Sequence, residues 1–548
     1  MKDLVIKFAG DSGDGIQLIG AMFSSIASKV GYQVFTYPSY PADMRAPKNT
    51  KGGVSSFQIH IGEHVSEPGD EYDILVCLNN SSYEVFGNEL KKTGMLIYDE
   101  QYQIECHHLN NWKLPITSQC KKLNCLKARN IFALGCVAYY LGFEEELLQQ
   151  EIQKKFKNKV DILGANKLIL SKSFDLCNNL HISQHKSVLN AKKTASNDKL
   201  ELLSGCSAVC NGLIRASKEI NKQLFLASYP ITPATDILIE LEKRRKEGII
   251  AIQAEDEIAA ACMCIGAAFG GSVAVTSTSG PGMCLKSEAI NLAVMAEIPM
   301  VIIDVQRGGP STGLPTKTEQ SDLNIAMYGR SGDSPLPVIA ASSPADCYEK
   351  AYTAVKIAVE NRTPVILLMD AYIGNGLEMC DLEKKLPKIV PSELWTCPGD
   401  ENTKVLGGSE VDRNTLTITT DGKNHFQRTY DRIRKVETIC VPDLEFIGDS
   451  KDILLVGWGS SKGKIEKIAE RYKEKGVDVS YTHMDYISPL PANIEKMMEY
   501  SNVFVIEQNA GQLSNILYQW GIKNISINII NGSHIDVNYA KEIIDIYL

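Results

Sequence analysis

Glu257 is the acid whose surroundings invite chemistry. It opens EIAAACMCIGAAFGG (Glu257–Gly271), a helix-like segment built almost wholly of small and apolar residues. A carboxyl facing such a surface loses water, and a desolvated carboxyl can hold or share a proton. Glu255 and Asp256 precede it, and three acids at a helix start also serve simply to complement the helix dipole. Arg307 follows the apolar run MVIIDVQ and precedes GGPSTG. A strand-end guanidinium there can clamp a carboxylate with two parallel hydrogen bonds; an ordinary ion pair is the plainer use. Thr232 lies between Pro230 and Pro233, whose fixed φ presents its hydroxyl rather than packing it. Lys317 and Glu319, in PTKTEQSDL, either support these groups or are exposed.

The elements that must position these residues alternate between β-type and helical patterns. Between Ser228 and Leu323, short β-type runs feed Gly- and Ser/Thr-rich turns, each leading into a helix; such turns present free backbone N–H groups to anions. SVAVTST, MVIIDV and VILLMD are nearly all apolar, as a parallel sheet buried on both faces requires. Upstream, LVIKFAG, the turn DSGDG and an apolar stripe through Ile16, Ile19, Phe23, Ile26, Ala27 and Val30 give strand, turn and helix. The spacing of Gly10, Gly13 and Gly15 is not that of a dinucleotide site. Further strands follow, so the N-terminal unit reads as a doubly wound sheet. The loop Ala42–Gly53 brings Arg45, Lys48 and Lys51 beside a glycine pair and can grip phosphates or merely be solvated. Residues 183–200 lose apolar periodicity, which marks a linker.

The chain has 548 residues, enough for roughly three to four domains. With 44% hydrophobic and 22% charged residues it reads as a soluble globular protein. A net charge of −9 without a Lys/Arg block argues against a nucleic-acid partner. No apolar run approaches the roughly 20 residues of a membrane span, and the start does not read as a signal peptide. The 15 cysteines, an odd number scattered through apolar runs, suit a reducing cytoplasm. No ferredoxin-type cysteine run is present, so any redox cluster belongs to another chain.

YPITP, the E-x-A-A helix, TSTSGPG and QRGGPSTGLPTKTEQSDL together resemble the alpha subunit of 2-oxoacid:ferredoxin oxidoreductases, the 2-oxoglutarate branch matching best. GDSGDGIQLIG and MRAPKNTKGGVSSFQIHIG resemble that family's gamma subunit, fused ahead of alpha. Residues 487–513 resemble a transketolase C-terminal-like domain. The resemblance implies three α/β units: a gamma-type domain (1–182, covering CoA), a linker (183–202), a pyrimidine-type thiamine-diphosphate domain (203–375), a connecting segment (376–450) and the C-terminal domain (451–548). It implies a thiamine diphosphate site shared with a beta subunit, which carries Mg2+, the diphosphate half-site and the iron–sulfur cluster. No metal site is expected in this chain: its one GDG, Gly13–Gly15, lacks the family's nearby Asn-Asn pair, and Asn79–Asn80 lie too far along.

The family glutamate maps to Glu257 counted back from Gly266, or to Glu255 aligned on the preceding Gln; Glu257 is favoured. Thr232 and Arg307 map to substrate binding. Tyr229, Pro230, Ile231, Thr278 and Gly280 map to the cofactor. Gly13, Gly15, Arg45 and Lys48 are expected to meet CoA. The implied reaction is CoA-dependent oxidative decarboxylation of 2-oxoglutarate to succinyl-CoA, with electrons passing to ferredoxin. It is expected in a cytoplasmic heterotetramer of two alpha and two beta chains. Pyruvate or a branched-chain 2-oxoacid as substrate, and a non-catalytic scaffold subunit, are the competing readings.

Overall fold

Among the described residues the apolar runs fold into three sheets. The computed structural model describes residues 3–41, 50–106, 108–184, 199–401, 403 and 406–548. The contacts divide the chain into two compact units, Met1–Leu202 with Gly376–Asp381, and Leu203–Asn375 with Leu382–Leu548. Most of the expected linker, and Arg45 and Lys48, lie outside the described residues.

In the first unit, strand Asp3–Asp11 pairs in parallel with Tyr72–Cys77, which pairs with Leu90–Asp99 and then Asn111–Leu114. On its other side Asp3–Asp11 runs antiparallel to Val54–Gly62, itself antiparallel to Gln33–Ser39. The sheet is therefore mixed, and the doubly wound expectation holds for one half only. Parallel neighbours need a crossover that covers a sheet face, and PADMRAPKNTKGG carries no apolar stripe to do so. Ile16, Ile19, Phe23, Ile26 and Ala27 of helix Ile16–Lys29 are buried, as their spacing requires. Strand Leu377–Asp381 adds to this sheet beside Gln33–Ser39, and the Leu377 N–H donates to Thr36 Oγ1 at 2.7 Å. The start of the 376–450 segment thus belongs to the first unit.

The second unit is built on a seven-stranded sheet. Its spatial order is Tyr486–Ser488, Val338–Ala340, Val365–Asp370, Met300–Gln306, Val273–Thr278, Leu224–Ser228 and Ile250–Gln253. All neighbours are parallel except the first pair. Strands Val273–Thr278, Met300–Gln306 and Val365–Asp370 are buried at every residue, polar ones included, as a parallel sheet covered on both faces requires. A parallel four-stranded sheet (Ser480–Met484, Ile453–Trp458, Asn502–Glu507, Ile525–Asn528) carries the C-terminal part. Its residues Leu454, Val456, Trp458, Val503 and Val505 share one core with Ala260, Cys264 and Ile290. That shared core fixes the C-terminal layer against the sheet that carries Glu257 and Arg307.

Candidate active site

Parallel strands deliver their turns to one edge of the sheet, the carboxyl edge, where ligands of open α/β sheets bind. Ser228, Gln253, Thr278 and Gln306 all end strands there, and Thr278 pairs with Asp304 across two of them. Ser228 Oγ donates to Ser277 O at 2.8 Å and ties two of the strand ends together.

Asp256 caps the next helix, Glu257–Phe269, by accepting from the Ala259 N–H at 2.7 Å. That cap sets the helix phase. Glu257 becomes the first helical residue and turns inward, 8% exposed, whereas Glu255 and Asp256 are exposed. The turn Thr278–Gly282 lies against it. A Cβ at Gly282 would stand 1.9 Å from Thr278 Oγ1 and 3.1 Å from Glu257 Cγ, so only glycine lets this backbone approach the acid. Gly280 and Pro281 open helix Gly280–Met295, as the N-terminal preference of proline allows.

That helix carries Lys286, a residue the sequence reading passed over. It is fully buried, and its Nζ donates to Glu257 O at 2.9 Å. Burial pushes its amine down to about 8 from 10.5. The ammonium penalty is complete below pH 8 and disappears as pH rises from 8 to 10.5, where the unfolded chain still holds the proton. Lys286→Met is therefore expected to raise stability at pH 7 by about 2 kcal/mol, the desolvation cost less one lost hydrogen bond. Thermal unfolding of both proteins at pH 7 and pH 10 checks this; a gap that persists at pH 10 contradicts it.

Arg307 is 7% exposed at the end of its strand. Its Nη1 donates to Thr232 O at 2.7 Å, which joins the arginine to the SYPITP turn through the backbone rather than the threonine hydroxyl. Arg307 Nε is buried with no hydrogen-bond partner among the described residues, a donor held ready for an anion. Thr232 and Tyr229 are exposed, Pro230 and Ile231 half-buried, and the Thr232–Pro233 bond is cis. After Arg307 the chain folds back, with the Leu314 N–H donating to Gly308 O at 2.8 Å. Gly313 adopts φ +46°, and a Cβ there would meet Gly308 O at 2.2 Å.

Two further acids stand beside Arg307. Asp304 is fully buried, and neither of its oxygens has a donor among the described residues. Asp322 adjoins it, accepts from the Gly280 N–H, and is pushed up to about 6 mainly by burial. Burial and the neighbouring Asp322 together raise Asp304 well above the usual carboxylate range. Two carboxyls so placed do not ionise together easily. Asp304 lies in MVIIDVQ and Asp322 in PTKTEQSDL, but only the fold makes them neighbours.

The C-terminal layer grips the same loop. Gln320 Nε2 donates to Trp458 O at 2.7 Å, the Gln508 N–H to Gln320 Oε1 at 3.0 Å, and Asn509 Nδ2 to Gln320 O at 2.8 Å. Glu319 is buried and accepts backbone N–H groups of Gly309 and Gly532; burial raises its carboxyl and lowers the Lys317 amine. The edge therefore brings together Glu257, Thr278, Gly280, Arg307 and Thr232.

Gly13 and Gly15 belong to the other unit. Both take positive φ, 95° and 73°. The Asp14 between them pairs with Arg129 at 2.8 Å, and Asn130 Nδ2 donates to Gly15 O at 3.2 Å. Lys51, the remaining described cation of the neighbouring loop, opens a short turn over Lys51–Gly53.

A family model described as "Pyruvate flavodoxin/ferredoxin oxidoreductase, thiamine diP-bdg" matches residues 218–437. A second, "Pyruvate ferredoxin/flavodoxin oxidoreductase", matches residues 5–176. The chain is 38% identical to the 2-oxoglutarate oxidoreductase subunit KorA of Mycobacterium tuberculosis, over 94% of this chain and 87% of that one. It is 31% identical to the 2-oxoglutarate synthase subunit KorA of Methanocaldococcus jannaschii, over 58% of this chain and 90% of that one. Among solved structures, it matches a 2-oxoglutarate:ferredoxin oxidoreductase from Magnetococcus marinus with 2-oxoglutarate, coenzyme A and succinyl-CoA bound. The TM-score is 0.89 and the identity 26%, with 100% of each chain covered.

Proposed function

Because the chain belongs to the 2-oxoacid:ferredoxin oxidoreductase family, we propose that it is the alpha subunit, with a fused gamma-type domain, of an enzyme acting on 2-oxoglutarate. The reaction takes 2-oxoglutarate, CoA and oxidised ferredoxin to succinyl-CoA, carbon dioxide and reduced ferredoxin. The observation that carries this reading is the carboxyl edge itself: a buried acid under a glycine turn, and a buried arginine with an unused donor on the next strand end. The Magnetococcus marinus structure, alike over its whole length, supports 2-oxoglutarate and CoA as the ligands.

The residues present fit the aminopyrimidine half of thiamine diphosphate. Such a ring needs a buried carboxyl on one side and bare backbone beside it, and Glu257 with the Thr278–Gly282 turn offers both. When bound, the cofactor supplies a nucleophilic carbon and a sink for the electrons left as carbon dioxide departs. Glu257 would meet that ring with its carboxyl and could exchange a proton with it. Tyr229, Pro230, Ile231, Thr278 and Gly280 form the surface around that ring. Arg307 clamps the substrate carboxylate, with the Thr232 hydroxyl beside it. The Gln320 contacts keep the loop after Arg307 in place, so the guanidinium does not have to be ordered when substrate arrives. Gly13, Gly15, Arg45 and Lys48 are proposed CoA contacts of the gamma-type domain.

Mg2+, the diphosphate half-site and the iron–sulfur cluster are assigned to a beta subunit, in a cytoplasmic heterotetramer of two alpha and two beta chains. Exposed apolar side chains next to the site support a covering partner. Ile258 (51% exposed) and Leu285 (52%) stand on the two helices that carry Glu257 and Gly280. Among the described residues no helix is long and apolar enough to cross a membrane.

Anaerobic purification with the co-expressed partner, followed by a 2-oxoacid panel at fixed CoA, tests the assignment. The expected result is a kcat/KM for 2-oxoglutarate at least about tenfold above those for pyruvate and branched-chain 2-oxoacids. Equal or greater activity on pyruvate would transfer the enzyme to another substrate branch. No activity on any member of the panel, in a complex that holds thiamine, would favour a scaffold role.

A further inference from the structure

A second constellation lies at the opposite end of the Glu257 helix, roughly 18 Å along its axis from the acid. Phe269, the last residue of that helix, and Trp395 line a cavity of about 490 Å³. Trp395 is fixed there, its Nε1 donating to Ala268 O at 3.0 Å. The volume is that of a small-molecule site.

The floor of the cavity is charged and unbalanced. Glu297 accepts from Arg362 Nη1 at 3.3 Å, Arg428 Nη2 at 3.5 Å and Lys435 Nζ at 2.5 Å. Behind it Arg432 pairs with Glu410 at 2.9 Å, while Arg428 Nε lies 3.9 Å from the same carboxylate. Four cations thus face two acids in a region whose side chains are all less than a fifth exposed. Arg428 Nε and Arg432 Nε are buried without a hydrogen-bond partner among the described residues. Excess charge of one sign, held away from water, is costly unless a counter-charge joins it.

The remaining charges do not supply that counter-charge. Asp431 is paired with Arg413 at 3.4 Å, and His425 reaches Glu410 from the exposed side. Glu393 and Glu401, on the rim, are exposed and screened by water and salt. The excess already tells on Lys435. Burial first, and then Arg362, Arg428 and Arg432, push its amine down to about 7, against the opposing pull of Asp431 and the ion pair with Glu297.

We propose that this cavity binds a small organic dianion, a phosphate monoester or a dicarboxylate, whose two negative charges complete the floor between Arg362, Arg428 and Lys435. The aromatic walls of Phe269 and Trp395 leave room for its carbon skeleton.

The test is binding of sulfate and of succinate to the full chain in its purified complex, by calorimetry, with sodium chloride at matched ionic strength as control. One saturable site per chain is expected for at least one dianion. A preference for sulfate points to phosphate esters, and a preference for succinate to dicarboxylates. Arg428→Met and Lys435→Met should each weaken binding at least tenfold. Sulfate does not titrate in this range, so its affinity should fall about tenfold between pH 6.5 and 8.5 as Lys435 loses its proton. A response no larger than that of chloride, binding that survives both substitutions, or a flat pH profile would overturn the proposal. Should either variant fail to fold, hydrogen exchange on the unsubstituted protein decides. The dianion must slow exchange selectively in helix Gly422–Glu437, and uniform or absent protection counts against the site.

Discussion

Glu257→Gln is expected to lower kcat by about 10²–10⁴-fold while the complex still assembles and still binds thiamine diphosphate. The amide keeps the shape of the side chain and its place in the first helical turn, but it cannot hold and release a proton. The residue is 8% exposed and lies under the Gly282 backbone, which restricts access of water to it. Glu255→Gln is the matched control. Glu255 is exposed, one residue ahead of the Asp256 cap, and its amide should leave kcat within about twofold. Steady-state reduction of an artificial acceptor by the three complexes, with bound thiamine measured in each, checks the pair of outcomes. A large loss at Glu255 with none at Glu257 would reverse the assignment.

Arg307→Lys should reduce kcat/KM for the 2-oxoacid by about 10²–10³-fold, equivalent to roughly 3–4 kcal/mol of lost transition-state binding. Lysine keeps the charge and loses the fork. The present guanidinium spends one arm on Thr232 O at 2.7 Å and keeps its Nε unpaired, a division that a single ammonium cannot reproduce. The KM for CoA should stay unchanged, because the proposed CoA contacts belong to the other unit. An equal rise in both Michaelis constants would mean that the substitution disturbs the fold rather than the carboxylate clamp. The neighbouring carboxyl pair makes the charge count: burial raises Asp304 and Asp322, Arg307 lowers both, and removal of the cation would raise both further.

The sequence alone determined the local patterns. Nearly all-apolar runs of six or seven residues suit strands buried on both faces, so Val273–Thr278, Met300–Gln306 and Val365–Asp370 were readable as strands before any pairing was known. The small, apolar segment after Glu255 and Asp256 was readable as a helix, and the structure starts that helix at Glu257. The resemblance carried by the motifs named Glu257, Arg307 and Thr232 as site residues.

Tertiary structure decided what depends on contacts distant in the chain. Between Glu255 and Glu257 the choice rests on helix phase and on what packs above it, and the Thr278–Gly282 turn that buries Glu257 comes from a different strand. The return of Leu377–Asp381 to the first unit's sheet joins residues more than 300 positions apart. No local propensity encodes such a pairing, because a strand edge accepts any suitably alternating partner. The raised carboxyls of Asp304 and Asp322, the buried Lys286 under the Glu257 backbone, and the four cations around Glu297 and Glu410 share one physical origin. Burial and neighbouring charge make these groups unusual, and both are properties of the folded surroundings rather than of the residues themselves.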